Sequence, residues 1–228
     1  MSCTSPRYTL YCAPNTYAMG VHAILEEIGA DYRVEWVELF SDVPDPAFIA
    51  ASPHGRVPAL VGPDGAVFES GAIALYLAEK HPQANLLIEA GDSRRGHFLQ
   101  WMHYLASTLQ PDVTLQFHPE FYFEDEATKA ALKQASLKRL DKVLQVIDEA
   151  LEPGPWFFGD RLTIVDFCFA MQAVWPQIYP VSIRDYPNIS DMVDRFIARP
   201  SARKVLIVHE ETWAGAQGSC DGMNSDPA

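Results

Sequence analysis

Residues 58–82 read PALVGPDGAVFESGAIALYLAEKHP. Two short runs, Val57–Val61 and Ala66–Phe68, flank Gly62-Pro63-Asp64-Gly65, whose turn chemistry predicts a β-hairpin. The helical period of Ser70–Lys80 predicts a helix that Pro82 ends. Glu69-Ser70 interrupts the apolar chain where strand gives way to helix. Working outward, Arg7–Cys12 is rich in strand formers and stops before Pro14. Tyr17–Ile28 carries Val21, Ile24, Leu25 and Ile28 on one helical stripe, with Asn15 or Thr16 as N-cap and Gly29 as the stop. Tyr32–Leu39 reads as a second strand and Asp45–Ala51 as a short helix. Strand, helix, strand, short helix, hairpin and helix in that order predict an α/β domain with a small sheet.

Beyond Pro82 the character changes. Asp92–Phe117, Glu124–Leu151, Ile164–Tyr179 and Asn188–His209 are helical by period, with proline only at their edges or breaks. The chain is therefore expected to hold an α/β domain over 1–83 and an all-α domain over 91–213. The small, polar stretch 214–228 is expected to be a disordered tail.

Composition limits the functions open to it. Of 228 residues, 48% are hydrophobic and 21% charged, as in a globular protein with a real core. The formal net charge of -13 argues against nucleic acid or an anionic membrane surface as partner. No apolar run is long enough to span a membrane, and the first residues lack the pattern of a signal peptide. Cys3, Cys12, Cys168 and Cys220 are scattered without disulfide or metal-ligand spacing, which predicts reduced thiols in the cytoplasm. No histidine or acid has the spacing of a metal site, so no metal is expected.

Two features carry chemistry. Val57 is biased toward an extended conformation by Pro58, and a cis bond there would turn its N–H and C=O outward to pair with an extended ligand. Alone, such a pair is a plain turn. The first N–H groups of the helix after Ser70 lack internal partners and sit at the positive end of its dipole, where a carboxylate is stabilised. Glu69 could accept from an ammonium on the same ligand. Alone, this is an ordinary N-cap beside a solvated acid. Together, a backbone edge and an amino-acid clamp one hairpin apart fit a short extended peptide with a free α-amino-acid end. Glutathione has that shape.

Residues 7–82 resemble the thioredoxin-like domain of cytosolic glutathione transferases. The matching segments are SPHGRVPAL (Ser52–Leu60), VFESGAIALYLAEKHP (Val67–Pro82) and LYCAPNTYAMGVHAILEEIGADY (Leu10–Tyr32). Asp160–Asp166 resembles the family's capping-box segment, with Thr163 as cap and Asp166 reaching back. The resemblance implies a cis Val57-Pro58 bond and glutathione, as co-substrate, held by Arg56, Val57, Pro58, Glu69 and Ser70. It also implies a homodimer acting in detoxification on an apolar electrophile or a disulfide. The turn Ala13–Tyr17 has no serine or cysteine and carries Tyr17 where the bacterial beta class has its cysteine; the stretch is similar to that of the bacterial nu-like and fungal prion-related groups, which use threonine or asparagine there. Tyr17, Asn15, Thr16 and Tyr11 are therefore all candidates to contact the sulfur. A second-substrate pocket is expected around Trp101, Tyr104, Phe117 and His118, with Phe121 and Tyr122. Two alternatives to conjugation stay open: a glutathione-dependent disulfide-bond oxidoreductase, and a non-catalytic binding protein on the same fold.

Overall fold

The computed structural model describes residues 6–174 and 182–221. Four strands, β1 (Tyr8–Cys12), β2 (Tyr32–Trp36), β3 (Ala59–Gly62) and β4 (Gly65–Phe68), form one sheet in the order β2-β1-β3-β4. β1 and β2 are parallel, with Tyr8 opposite Tyr32, which demands a crossover; helix α1 (Ala18–Glu27) supplies it. β3 runs antiparallel to both β1 and β4. β1 is paired on both edges and covered on both faces. Tyr8, Leu10 and Cys12 are fully buried, while Tyr11 packs against Phe48, Ala51 and Ala59. Phe48 comes from α2 (Pro46–Ala51), whose first turn is capped by the Asp45 carboxylate accepting from Ala47 N–H at 2.8 Å.

The expected hairpin is present, with Pro63-Asp64 between paired Gly62 and Gly65. Gly65 has φ 105°, a conformation that side chains rarely adopt. The turn is pinned to α3 (Ser70–Lys80): Asp64 accepts from the Tyr76 hydroxyl at 2.9 Å and pairs with Lys80 at 2.7 Å.

The all-helical part begins at Asn85. α4 (Arg95–Tyr104) passes through one π-helical turn, Leu105–Leu109, into α5 (Gln110–Phe117). Pro111 cannot donate a ladder hydrogen bond, and Gln110 N–H reaches back to Leu105 C=O across the widened turn. α6 (Glu126–Leu151) starts on Asp125, which accepts from Thr128 N–H at 2.7 Å. α7 (Ile164–Ala173) is buried except at Cys168. The remainder of the stretch expected to be helical, from residue 175, lies outside the described residues. α8 spans Pro187–Ile197.

The capping box on α7 is as expected. Asp166 accepts from Thr163 N–H at 2.7 Å and from the Thr163 hydroxyl at 3.0 Å. Its other oxygen accepts from Phe157 N–H at 2.9 Å. One fully buried carboxylate thus satisfies three donors from two segments.

Two expectations need correction. The stretch Asn188–His209 is two helices, because Pro200, which has no N–H, opens a new one, α9 (Pro200–Asp221). α9 packs along α1 and belongs with the N-terminal unit, so the all-helical unit closes at Phe196 rather than at residue 213. The helix also continues through Asp221, into the stretch expected to be disordered; residues 222–228 lie outside the described residues. Among the described residues no helix is long and apolar enough to cross a membrane.

Replacing Asp166 by Ala should destabilise the protein by about 3 kcal/mol or more, since three donors lose their partner. Denaturant unfolding that shows a loss below about 1 kcal/mol would mean this network does not hold the helical unit together.

Candidate functional site

Tyr11, Ala59 and Phe68 form one row across β1, β3 and β4. Because β3 is antiparallel to both neighbours, three segments meet the same end of the sheet. The turn Ala13–Tyr17 follows β1, Val57-Pro58 precedes β3, and Glu69-Ser70 follows β4. Neighbouring strands lie about 4.8 Å apart, so the row spans about 10 Å.

In the middle of the row the Val57-Pro58 bond is cis. Pro58 is buried and Val57 half-buried, and Val57 joins no strand pairing among the described residues. Ser52 fixes the approach to it. Its buried hydroxyl donates to Arg56 C=O at 2.7 Å and accepts from Arg56 N–H at 3.1 Å. Arg56 itself is exposed. No periodicity or spacing marked Ser52 for this task.

At one end of the row, Glu69 has φ 73° and ψ 115° and is the N-cap residue of α3. A side-chain-bearing residue with positive φ of this kind costs of order 1–3 kcal/mol and persists where surrounding structure enforces it. The ordinary-cap reading of Ser70 does not hold: Ser70 is the first helical residue, and neither its side chain nor that of Glu69 caps the helix among the described residues. The Glu69 side chain is exposed and makes no ion pair there.

At the other end, the four candidates for the sulfur contact fall into different places. Tyr11 is a core residue, 7% exposed, with its ring 5.5 Å from that of Phe48. Burial, then Asp45 and Glu35, raises its hydroxyl's pKa. Thr16 donates its hydroxyl to Ala13 C=O at 2.7 Å and accepts from Ala18 N–H at 3.4 Å, so its proton is committed to shaping the turn. Tyr17 opens α1 with its hydroxyl oxygen buried. Asn15 is exposed, with φ 53°, and its side-chain amide makes no hydrogen bond among the described residues.

The second-substrate candidates divide in two. Trp101 packs its ring 5.3 Å from Tyr104 and 5.0 Å from the core residue Phe157. Phe117 and His118 sit with Phe121, whose ring stacks on His118 at 4.7 Å; His118 also bonds Glu120 at 2.9 Å. Tyr122 is exposed nearby. Trp101 and Phe117 lie on one continuous helical run, about 24 Å apart along its axis. They do not line one small pocket together.

The structure also brings together residues far apart in sequence. Cys12 Sγ and ring nitrogens of His22 and His209 lie within 4.8 Å of one another, all buried. His209 Nδ1 accepts from Asn15 N–H at 3.3 Å. Burial pushes the His22 imidazole down to about 4 and His209 down to about 3, so both are neutral near pH 7. Burial raises the Cys12 thiol well above its usual range. No local spacing reveals this cluster, because α9 carries His209 back to α1.

Residues 6–79 match the family model "Glutathione S-transferase, N-terminal domain", and residues 111–200 match its C-terminal counterpart. The glutathione S-transferase-like protein gedE of Aspergillus terreus is 30% identical over 82% of this chain and 88% of its own length. The chain belongs to the glutathione S-transferase family. A glutathione transferase from Methylococcus capsulatus has the same fold, with a TM-score of 0.78 at 27% identity over 89% of this chain and 98% of that one. The disulfide-bond oxidoreductase YfcG of Escherichia coli is 28% identical over 87% of this chain and 94% of its own.

For this glutathione S-transferase family member, strain at Glu69 leads to a test. Glu69→Gly relieves the positive φ and should stabilise the fold by about 0.5–1 kcal/mol, after the entropy cost of glycine. Glu69→Ala keeps the strain and should leave stability nearly unchanged. A Gly variant less stable than the Ala variant by about 0.5–1 kcal/mol in denaturant titration, the bare entropy cost of glycine, would show that the conformation carries no strain.

Proposed function

We propose that this chain binds glutathione along the three-segment row and directs its thiolate at a small electrophile. The supporting observation is Glu69: a strained residue whose exposed carboxylate and neighbouring Ser70 are left uncommitted among the described residues at the start of α3. An extended peptide of two to three residues spans about 7–11 Å, comparable to the row.

In this reading the ligand's α-carboxylate takes the N–H groups of Ser70 and Gly71 and the Ser70 hydroxyl, at the positive end of α3. Its ammonium donates to Glu69. The cysteinyl backbone pairs with Val57 N–H and C=O as an added strand, with Arg56 and Pro58 alongside. The sulfur then points toward the turn, where the Asn15 amide can donate to it and favour the thiolate. The thiol proton leaves to solvent. The thiolate's electron pair forms a bond to the electrophilic carbon as the leaving group departs with its own pair. The chain's contribution is thiolate stabilisation and alignment.

Similarity to YfcG, together with a turn that has no serine or cysteine, favours disulfide exchange as the second reading. There the thiolate attacks a disulfide sulfur, a thiolate departs, and a second glutathione resolves the mixed disulfide to glutathione disulfide. Turnover of hydroxyethyl disulfide with little turnover of a chloronitrobenzene acceptor selects exchange; the converse selects conjugation.

Glu69→Ala and Ser70→Ala should each weaken glutathione binding about 10- to 150-fold, the loss of one charge-assisted bond. Calorimetric titration with unchanged affinity in both variants would remove the basis of the clamp. The family resemblance also supports a cytoplasmic homodimer. Sedimentation at micromolar concentration should give twice the chain mass, and a monomer contradicts it.

A further inference from the structure

A ring nitrogen that accepts from a backbone N–H carries no proton of its own. Asn15 N–H donates to His209 Nδ1 at 3.3 Å, so neutral His209 has its proton on Nε2. That Nε2 lies 3.1 Å from His22 Nδ1, which must accept. The His22 proton is then on Nε2, which donates to the Tyr32 hydroxyl oxygen at 2.9 Å. Tyr32 in turn donates to the Glu26 carboxylate, which Lys204 holds at 2.8 Å. Each bond permits one direction only, and the chain runs from the turn, through α9 and α1, to a surface ion pair.

The same polarity decides against a metal ion among Cys12, His22 and His209. An ion on His209 Nε2 would move the ring proton to Nδ1 and set it against Asn15 N–H, donor facing donor. Cys12 Sγ, 3.8 Å from His209 Nε2, is instead a buried neighbour of the chain.

We propose that His209 is a positioning residue for the turn: its Nδ1, kept unprotonated by the chain through His22, Tyr32 and Glu26, fixes the peptide N–H of Asn15 and so aims the Asn15 side chain. This rests on the reading that the turn meets the glutathione sulfur. The turn is held from both sides, since Thr16 binds Ala13 C=O within it while His209 grips Asn15 N–H from outside. Asn15 sits between these two anchors at φ 53°. Without the second anchor, its peptide plane is free to rotate and the amide loses its aim.

Long-range proton–nitrogen NMR on the unaltered protein near neutral pH should find the proton of both His209 and His22 on Nε2. A proton on His209 Nδ1 overturns the proposal. So does one zinc ion retained per chain on dialysis and lost in Cys12→Ser. With glutathione bound, His209→Phe should lower the thiolate fraction near neutral pH about tenfold in an ultraviolet titration, and kcat should fall more than KM rises. His209→Asn, whose side-chain carbonyl keeps an acceptor close to the position of Nδ1, should restore most of it. A folded His209→Phe with an unaltered titration overturns the proposal; if that variant does not fold, the ring-proton assignment in the unaltered protein decides. Asn15→Ala separates the two readings. A shift with Asn15→Ala but none with His209→Phe removes only the role of His209. No shift with Asn15→Ala removes the Asn15 amide as the sulfur's partner, and the positioning role of His209 with it.

Discussion

The antiparallel ladder between β1 and β3 is the constraint on which the candidate site depends. It sets Tyr11 opposite Ala59, and β4 then sets Phe68 opposite Ala59. That register brings the end of β1, the start of β3 and the end of β4 to one edge. A shift by one residue would turn Leu10 and Leu60 out of the core and separate the three segments. Burial of β1 on both faces therefore specifies the site as firmly as it specifies the sheet.

Backbone conformations that side chains disfavour stand at both ends of the row, at Asn15 and Glu69. Each is held from outside itself. At Glu69 the start of α3 enforces the bend, with Ile73 N–H bonded to Glu69 C=O at 2.9 Å and the hairpin tied to the helix through Asp64. At Asn15 the restraint comes from Thr16 and from His209. Between them, Val57 needs no such support, because Ser52 already locks both backbone groups of Arg56. The strain is local, and the restraints are spread over the sheet, α1 and α9.

What could be read in the sequence was what local chemistry encodes. Gly62-Pro-Asp-Gly65 gave away the hairpin, and Thr163 with Asp166 gave away the start of α7. The cis bond at Val57-Pro58 and the helix start at Glu69-Ser70 were recognisable because their chemistry is contained in adjacent residues. What could not be read depends on distant partners. α1 looked like a helix with one apolar stripe, yet Ala18 through Leu25 are all buried, because α9 as well as α3 and β1 packs against it, meeting His22 through His209. His209 had no meaning until that helix returned. Ser52 was one more polar residue before a glycine. The aromatic set from Trp101 to Phe117 resembles one surface by residue type, but a continuous helical run of about 24 Å separates its two ends.

The placement of α9 means that the unit bearing the candidate site is discontinuous, with residues 85–196 inserted between its two parts. A ribosome releases the sheet, α1 and the row of site segments early, but the helix that covers α1 comes last. While the inserted helices are being made, α1 has an uncovered apolar face and His22 has no partner from α9. The first part of the site to be synthesised is thus among the last to be finished, and a nascent chain stopped before residue 197 holds every candidate ligand contact without the helix that braces the turn.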